Sequence, residues 1–134
     1  MDRKNLRIAT FVFFILFFTA LLCADEFDFE LKKVYPKIVT PSYGNGDNNF
    51  VFFEFYDPLA GATKFDLKIF DINGHKIKSI DTSNSNWKPI SSSGNFRIFW
   101  DCKDSQEYYV LPGVYIYQLE SNKKIFTGII VVAQ

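Results

Sequence analysis

The chain is poor in the residues that build covalent and metal-held scaffolds. Its 134 residues include two cysteines, one histidine and one methionine. That supply excludes a disulfide framework and a Cys/His zinc site. Net charge is also missing, because 15 basic side chains balance 15 acidic ones. A neutral chain without a basic stripe has no electrostatic footprint for DNA or RNA, so no nucleic-acid partner is expected. Also absent are a Gly-x-Ser-x-Gly elbow, a Gly-rich phosphate loop, a Ser/His/Asp set and a pair of carboxylates placed for acid–base work. The expectation is therefore a protein that is not an enzyme, with no catalytic residue and no cofactor. What it has in excess is apolar and aromatic mass, 48% and 19% of residues. Such a chain orders itself around a core and is not a disordered tail.

The first 24 residues read as an export leader. Arg3, Lys4 and Arg7 precede an uncharged run from Ile8 to Cys23, and polarity returns at Asp25-Glu26. This is the layout of a signal peptide. Sixteen apolar residues fall short of a roughly 30 Å hydrocarbon core, which favours cleavage after Ala24 over a retained anchor. Cys23 raises lipidation as an alternative, but Leu22 stands where a small residue is wanted. Membrane contact is thus expected only through this segment, if it stays uncleaved or is lipidated at Cys23. Residues 25–134 then form one exported domain of 12 basic and 14 acidic side chains. Its single remaining cysteine, Cys102, cannot close an intrachain bridge, so the core must hold the fold alone.

From Phe27 onward the hydrophobic period is two, the signature of half-buried strands. Val51, Phe53 and Phe55 alternate with Phe52 and Glu54; Phe65, Leu67 and Ile69 with Asp66, Lys68 and Phe70; Phe96, Ile98 and Trp100 with Arg97 and Phe99. Tyr115, Tyr117 and Leu119 continue the pattern, as do Thr127, Ile129 and Val131. Seven strands are predicted: 31–39, 50–56, 64–72, 76–81, 96–101, 114–120 and 124–132. Asn73-Gly74 predicts a type I′ hairpin, and Ser121-Asn122-Lys123 a second tight turn. Seven short antiparallel strands in about 110 residues predict an all-β, immunoglobulin-like sandwich. Phe52 and Phe70 fall on the face opposite the core, so either both faces are locally covered or the domain packs on a partner.

The order of motifs resembles a known module. Residues 68–77, Lys-Ile-Phe-Asp-Ile-Asn-Gly-His-Lys-Ile, are similar to its Asp-x-x-Gly hairpin. Trp100-Asp101-Cys102-Lys103-Asp104 is similar to its Trp-Asp-Gly-x-Asp strand end. Leu111-Pro112-Gly113-Val114-Tyr115-Ile116-Tyr117 resembles its Pro-x-Gly-Val-Tyr-x-Tyr strand, and residues 128–132 resemble its closing strand. The family is the Ig-like domain of the flagellar hook-capping protein, related to the C-terminal sorting domains of type IX secretion. Residues 35–133 carry the resemblance. Cys102 replaces the expected Gly, Ser105-Gln106 replaces an Asp-Gly turn, and the loop at 44–49, which resembles the module's Pro-Asn-Gly-Asp-Gly-x-Asn-Asp head loop, lacks its final Asp. The resemblance implies a structural or sorting role outside the cytoplasm, in the periplasm, at the cell surface or secreted, with a protein partner in the cell envelope. Nothing but the leader precedes the domain, which favours a free-standing module over a sorting tag.

Individual residues offer little chemistry. Asn45, Asp47 and Asn49 alternate as oxygen donors of the type Ca²⁺ takes, yet only one is a carboxylate and Asx residues simply make turns. His75 has no second histidine and reads as an exposed turn residue. Cys102 reads as a passive thiol at a strand end, with intermolecular linkage the alternative. Trp87, Tyr108 and Tyr109 are the aromatics available to bind glycan or peptide, with Trp100 assigned to the core.

Overall fold

The computed structural model describes residues 28–41, 48–83, 88–90 and 94–133. The leader with Cys23 and the Ala24 cleavage point, Asn45, Asp47 and Trp87 lie outside the described residues.

Among the described residues nine strands form two sheets: β1 (Glu30–Tyr35), β2 (Ile38–Val39), β3 (Val51–Tyr56), β4 (Phe65–Asp71), β5 (Lys76–Asp81), β6 (Lys88–Pro89), β7 (Asn95–Trp100), β8 (Gly113–Ser121) and β9 (Lys124–Val132). One sheet runs β1-β3-β7-β6 and the other β2-β9-β8-β4-β5. In immunoglobulin lettering these are A-B-E-D against A′-G-F-C-C′, so the chain is an all-β, Ig-like sandwich. No helix forms among the described residues.

The core follows from the period of two. Val51, Phe53, Phe55, Phe65, Leu67, Ile69, Phe96, Ile98, Trp100, Tyr115, Tyr117 and Leu119 all point between the sheets and are buried. Rings interlock across the layers: Phe53 meets Tyr117 edge-on at 5.2 Å, and Trp100 meets Tyr115 at 5.7 Å. Each fully buried large side chain contributes about 1.5–3 kcal/mol, which lets the fold stand without a disulfide. Tyr115 Oη donates to the Leu111 carbonyl at 2.7 Å, a tyrosine corner at the entry to the F strand.

Three expectations are corrected. The predicted strand 31–39 breaks at Pro36, which has no N–H to give a ladder. Its first half, β1, pairs with β3; its second half, β2, crosses to the other sheet and runs parallel to the end of β9. The Asn73-Gly74 turn is not type I′, because only Gly74 has positive φ. Gly74 N–H donates to the Asp71 carbonyl, and the pairing shifts at Phe70, so a type I turn is followed by a glycine bulge. The type I′ geometry instead belongs to Asn122-Lys123, both at positive φ between the paired Ser121 and Lys124. Finally, β6 adds a short strand that the sequence pattern did not mark.

Candidate functional site

The outer face of the four-stranded sheet gathers aromatic rings that no second layer covers among the described residues. Registers Tyr35↔Phe52↔Phe99 line three rings in one row across β1, β3 and β7. Phe50, just ahead of β3, joins them. Its ring lies 5.0 Å from Phe99 and 6.3 Å from Phe52, and Phe52 lies 5.6 Å from Tyr35. Phe50 is exposed and Phe52, Phe99 and Tyr35 are half-buried.

The next row along the same strands is charged. Lys33, Glu54, Arg97 and Lys88 occupy register positions across β1, β3, β7 and β6, three cations to one carboxylate. Tyr35 Oη donates to Glu54 Oε1 and accepts from Arg97 Nη1 at 3.2 Å. The Arg97 guanidinium lies 4.8 Å above the Phe52 ring, and the Lys33 ammonium 4.5 Å above Tyr35. Among the described residues no carboxylate forms an ion pair with Arg97. A cleft of about 720 Å³ opens beside it, lined by Tyr35, Pro36, Asn48, Phe52 and Arg97.

Of the predicted site residues, Asn49, Tyr108 and Tyr109 are among the described residues. Tyr108 and Tyr109 are exposed on the connection between β7 and β8, where Lys103 reaches the Tyr109 ring at 5.2 Å. Asn49 is half-buried beside Phe50. Among the described residues no group of three His, Cys, Asp or Glu side chains stands close enough to hold a metal ion. His75 is exposed in its turn, its Nδ1 3.0 Å from Asp71 Oδ2. Cys102 is fully buried, and burial together with the Asp101 charge pushes its thiol pKa up to about 12. It therefore sits as a protonated core group, not an accessible link.

Two loops repeat one design. Asp71 Oδ1 accepts from Asn73 N and His75 N; Asp104 Oδ1 accepts from Gln106 N and Tyr108 N. The fourth residue of each, Gly74 and Glu107, has positive φ. Glu107 also pairs with Lys78 at 2.6 Å, which ties the second loop to β5.

The exposed apolar residues are not spread evenly. Of twelve exposed large hydrophobic side chains among the described residues, nine lie toward the end that carries the Asp71–His75 turn: Phe50, the Ile72, Tyr108, Tyr109 and Leu111 loop residues, and Ile38, Val114, Ile116 and Ile129 on the other sheet. The sequence flagged Phe52 and Phe70 as second-face aromatics. It did not reveal that Tyr35, Phe50 and Phe99 join Phe52, because strand register is not written in any one strand.

No protein-family model and no curated protein matches the chain. Among solved structures it is similar to dimeric latent PorU from Porphyromonas gingivalis, at 18% identity and a TM-score of 0.54, over 79% of this chain and 9% of that one. It is also similar to PorZ of the same organism, described as a surface component of the type IX secretion system (21% identity, TM-score 0.48, 76% and 11% of the two chains). Neither bears on the hook-capping resemblance. At this identity the PorU likeness carries the fold alone, and this chain spans about a tenth of that protein's length.

Proposed function

We propose that the chain is an exported, non-enzymatic Ig-like module that docks a protein partner in the cell envelope through the outer face of its four-stranded sheet. The observation that carries this reading is the row Tyr35, Phe52, Phe99 with Phe50, bordered by Arg97 and Lys33. Aromatics with arginine are the composition of protein-interface cores. A glycan platform needs bare ring faces, and here cations already cap Phe52 and Tyr35. That favours a protein over the alternative glycan ligand. The surplus of cations in the neighbouring row fits a partner surface rich in carboxylates.

The test compares the tagged, exported wild type with Phe52→Ser, Arg97→Glu and Trp87→Ala after crosslinking in its own cells. Phe52→Ser and Arg97→Glu are expected to lower retention of one defined partner about tenfold or more, with melting behaviour kept. Loss with Trp87→Ala alone would move the function to the Ser/Asn-rich loop instead.

A second reading, a type IX sorting domain, is supported by the motif order at residues 68–77, 100–104, 111–117 and 128–132 and by the fold shared with PorU. A reporter fused to residues 25–134 should then reach the cell surface, whereas a reporter held in the periplasm removes this reading.

A further inference from the structure

An edge strand offers unpaired N–H and C=O groups to any passing strand, and proteins guard such edges with charge, proline, bulges or short length. This sandwich guards most of its edges. β1 carries Lys32 and Lys33 and an irregular register between Leu31 and Lys33. β5 carries Lys76 and Lys78, and Ser105 donates from both N and Oγ to the Ile77 carbonyl. β6 has two residues, one of them Pro89.

The upper half of β9 has no such device. β2 pairs with β9 only at Val131 and Val132. Val131 N–H donates to Lys37 O and Ala133 N–H to Val39 O, so odd-numbered amides of β9 face away from β8. The β8–β9 register is unbroken from Lys124 to Val132, which carries the same alternation back to Ile129, Thr127 and Ile125. Nothing pairs with those three backbones among the described residues. Ile125 and Ile129 are 61% and 59% exposed. Between Ile125 and Ile129 there is no charge and no proline, and Lys124, at the mouth of the stretch, is neutralised by Asp28 at 3.0 Å.

We infer that this open stretch is a strand-docking slot for an extended, uncharged segment of a partner protein. Its length is five residues, about 17 Å at the usual strand rise. A charged side chain placed at its centre would lose water without gaining a counter-ion, so charge matching selects an uncharged occupant with apolar side chains flanking Ile125 and Ile129. A second copy fits poorly. In a two-fold pairing centred on Thr127, Lys123 of one copy falls opposite Val131 of the other, where Ile38 already sits. The slot is independent of the aromatic face and stands or falls separately from it.

Amide exchange of the full exported chain, read by NMR, tests the slot with a synthetic heptapeptide, Thr-Val-Thr-Val-Thr-Val-Thr, as probe. Without peptide, Ile125, Thr127 and Ile129 should exchange about tenfold or more faster than Phe126, Gly128 and Ile130. Saturating peptide should slow those three about tenfold and leave the other amides unchanged. Thr127→Pro removes an outward N–H, a change edges tolerate, and should weaken peptide binding about tenfold. Ile129→Lys, which installs the missing guard, should do the same. Phe52→Ser should leave peptide binding intact. Three outcomes overturn the inference: no slowing with peptide, slow exchange of the three amides in the free chain (the edge already covered by its own residues), or protection that rises with protein concentration (a second copy).

Discussion

Asp57 shows how one side chain fixes a loop and a pH dependence. It is buried at the end of β3, where its carboxylate accepts from Leu59 N, Gly61 N, Thr63 N and Thr63 Oγ1. Burial by itself would raise its pKa, but the hydrogen bonds to Thr63, Leu59 and Gly61 together outweigh burial and hold it below the usual carboxylate range. A folded pKa below the unfolded value near 3.9 means the stabilisation is complete above that value and lost as pH falls through the folded pKa. Asp57→Asn should cost about 3 kcal/mol at neutral pH, since an amide offers N–H where four donors converge. In urea titrations it should also flatten the acid limb of stability below about pH 4. Cys102 makes a different point. The sequence resemblance expects Gly there, and the structure keeps a glycine-like φ of 57° with a cysteine in it. The left-handed conformation costs an L-residue about 1 kcal/mol, offset here by a buried thiol. In the native chain Cys102 should resist iodoacetamide at pH 8 and react at the unfolded rate in denaturant. Rapid native alkylation would contradict both the burial and the raised pKa.

At the level of strands and turns, the alternation of inward and outward side chains was legible because a period of two is local. β3, β4, β7, β8 and β9 stand within one or two residues of their predicted bounds. The breakdown at Pro36 was not legible. Both halves of 31–39 look like strand, and only the position of two different partners, β3 and β9, decides that they belong to separate sheets. The turns show the same limit. Asn73-Gly74 has ideal type I′ composition, yet the Asp71 side chain caps Asn73 N and His75 N and selects the bulged form. Asn122-Lys123 adopts type I′ with a lysine at φ 68°. Lys123→Gly should therefore stabilise the fold by about 0.5–1 kcal/mol, raising the melting temperature by several degrees, because glycine meets no Cβ conflict there. Tyr115→Phe deletes the corner bond to Leu111 O and should cost about 1–1.5 kcal/mol in a denaturation curve while leaving the ring packed on Trp100.

For the molecule as a whole, the interior carries stability, and the proposed contacts fall on a sheet face and a sheet edge. The composition already implied an ample aromatic core, and the interior realises it. The site was less legible, because Tyr35, Phe52, Arg97 and Phe99 come from three strands and meet only through their register. On this sheet Phe52 betrayed the second apolar face, as an aromatic out of phase with Phe53 and Phe55. A fold held by its interior makes a definite claim about redox conditions. Cys102 is free, and it is buried against the Trp100–Tyr115 end of the sandwich. Export to an oxidising compartment usually accompanies small domains stapled by disulfides, which lose about 2–5 kcal/mol on reduction. Here reductant should change the unfolding free energy of residues 25–134, read from urea curves, by less than about a tenth of that loss. Truncating the interior should have a far larger effect. Ile98→Ala, on the central β7 and fully buried, should cost about 2–5 kcal/mol. A large midpoint shift with reductant, or a small one for Ile98→Ala, would mean that covalent links and not packed side chains hold the sheets together.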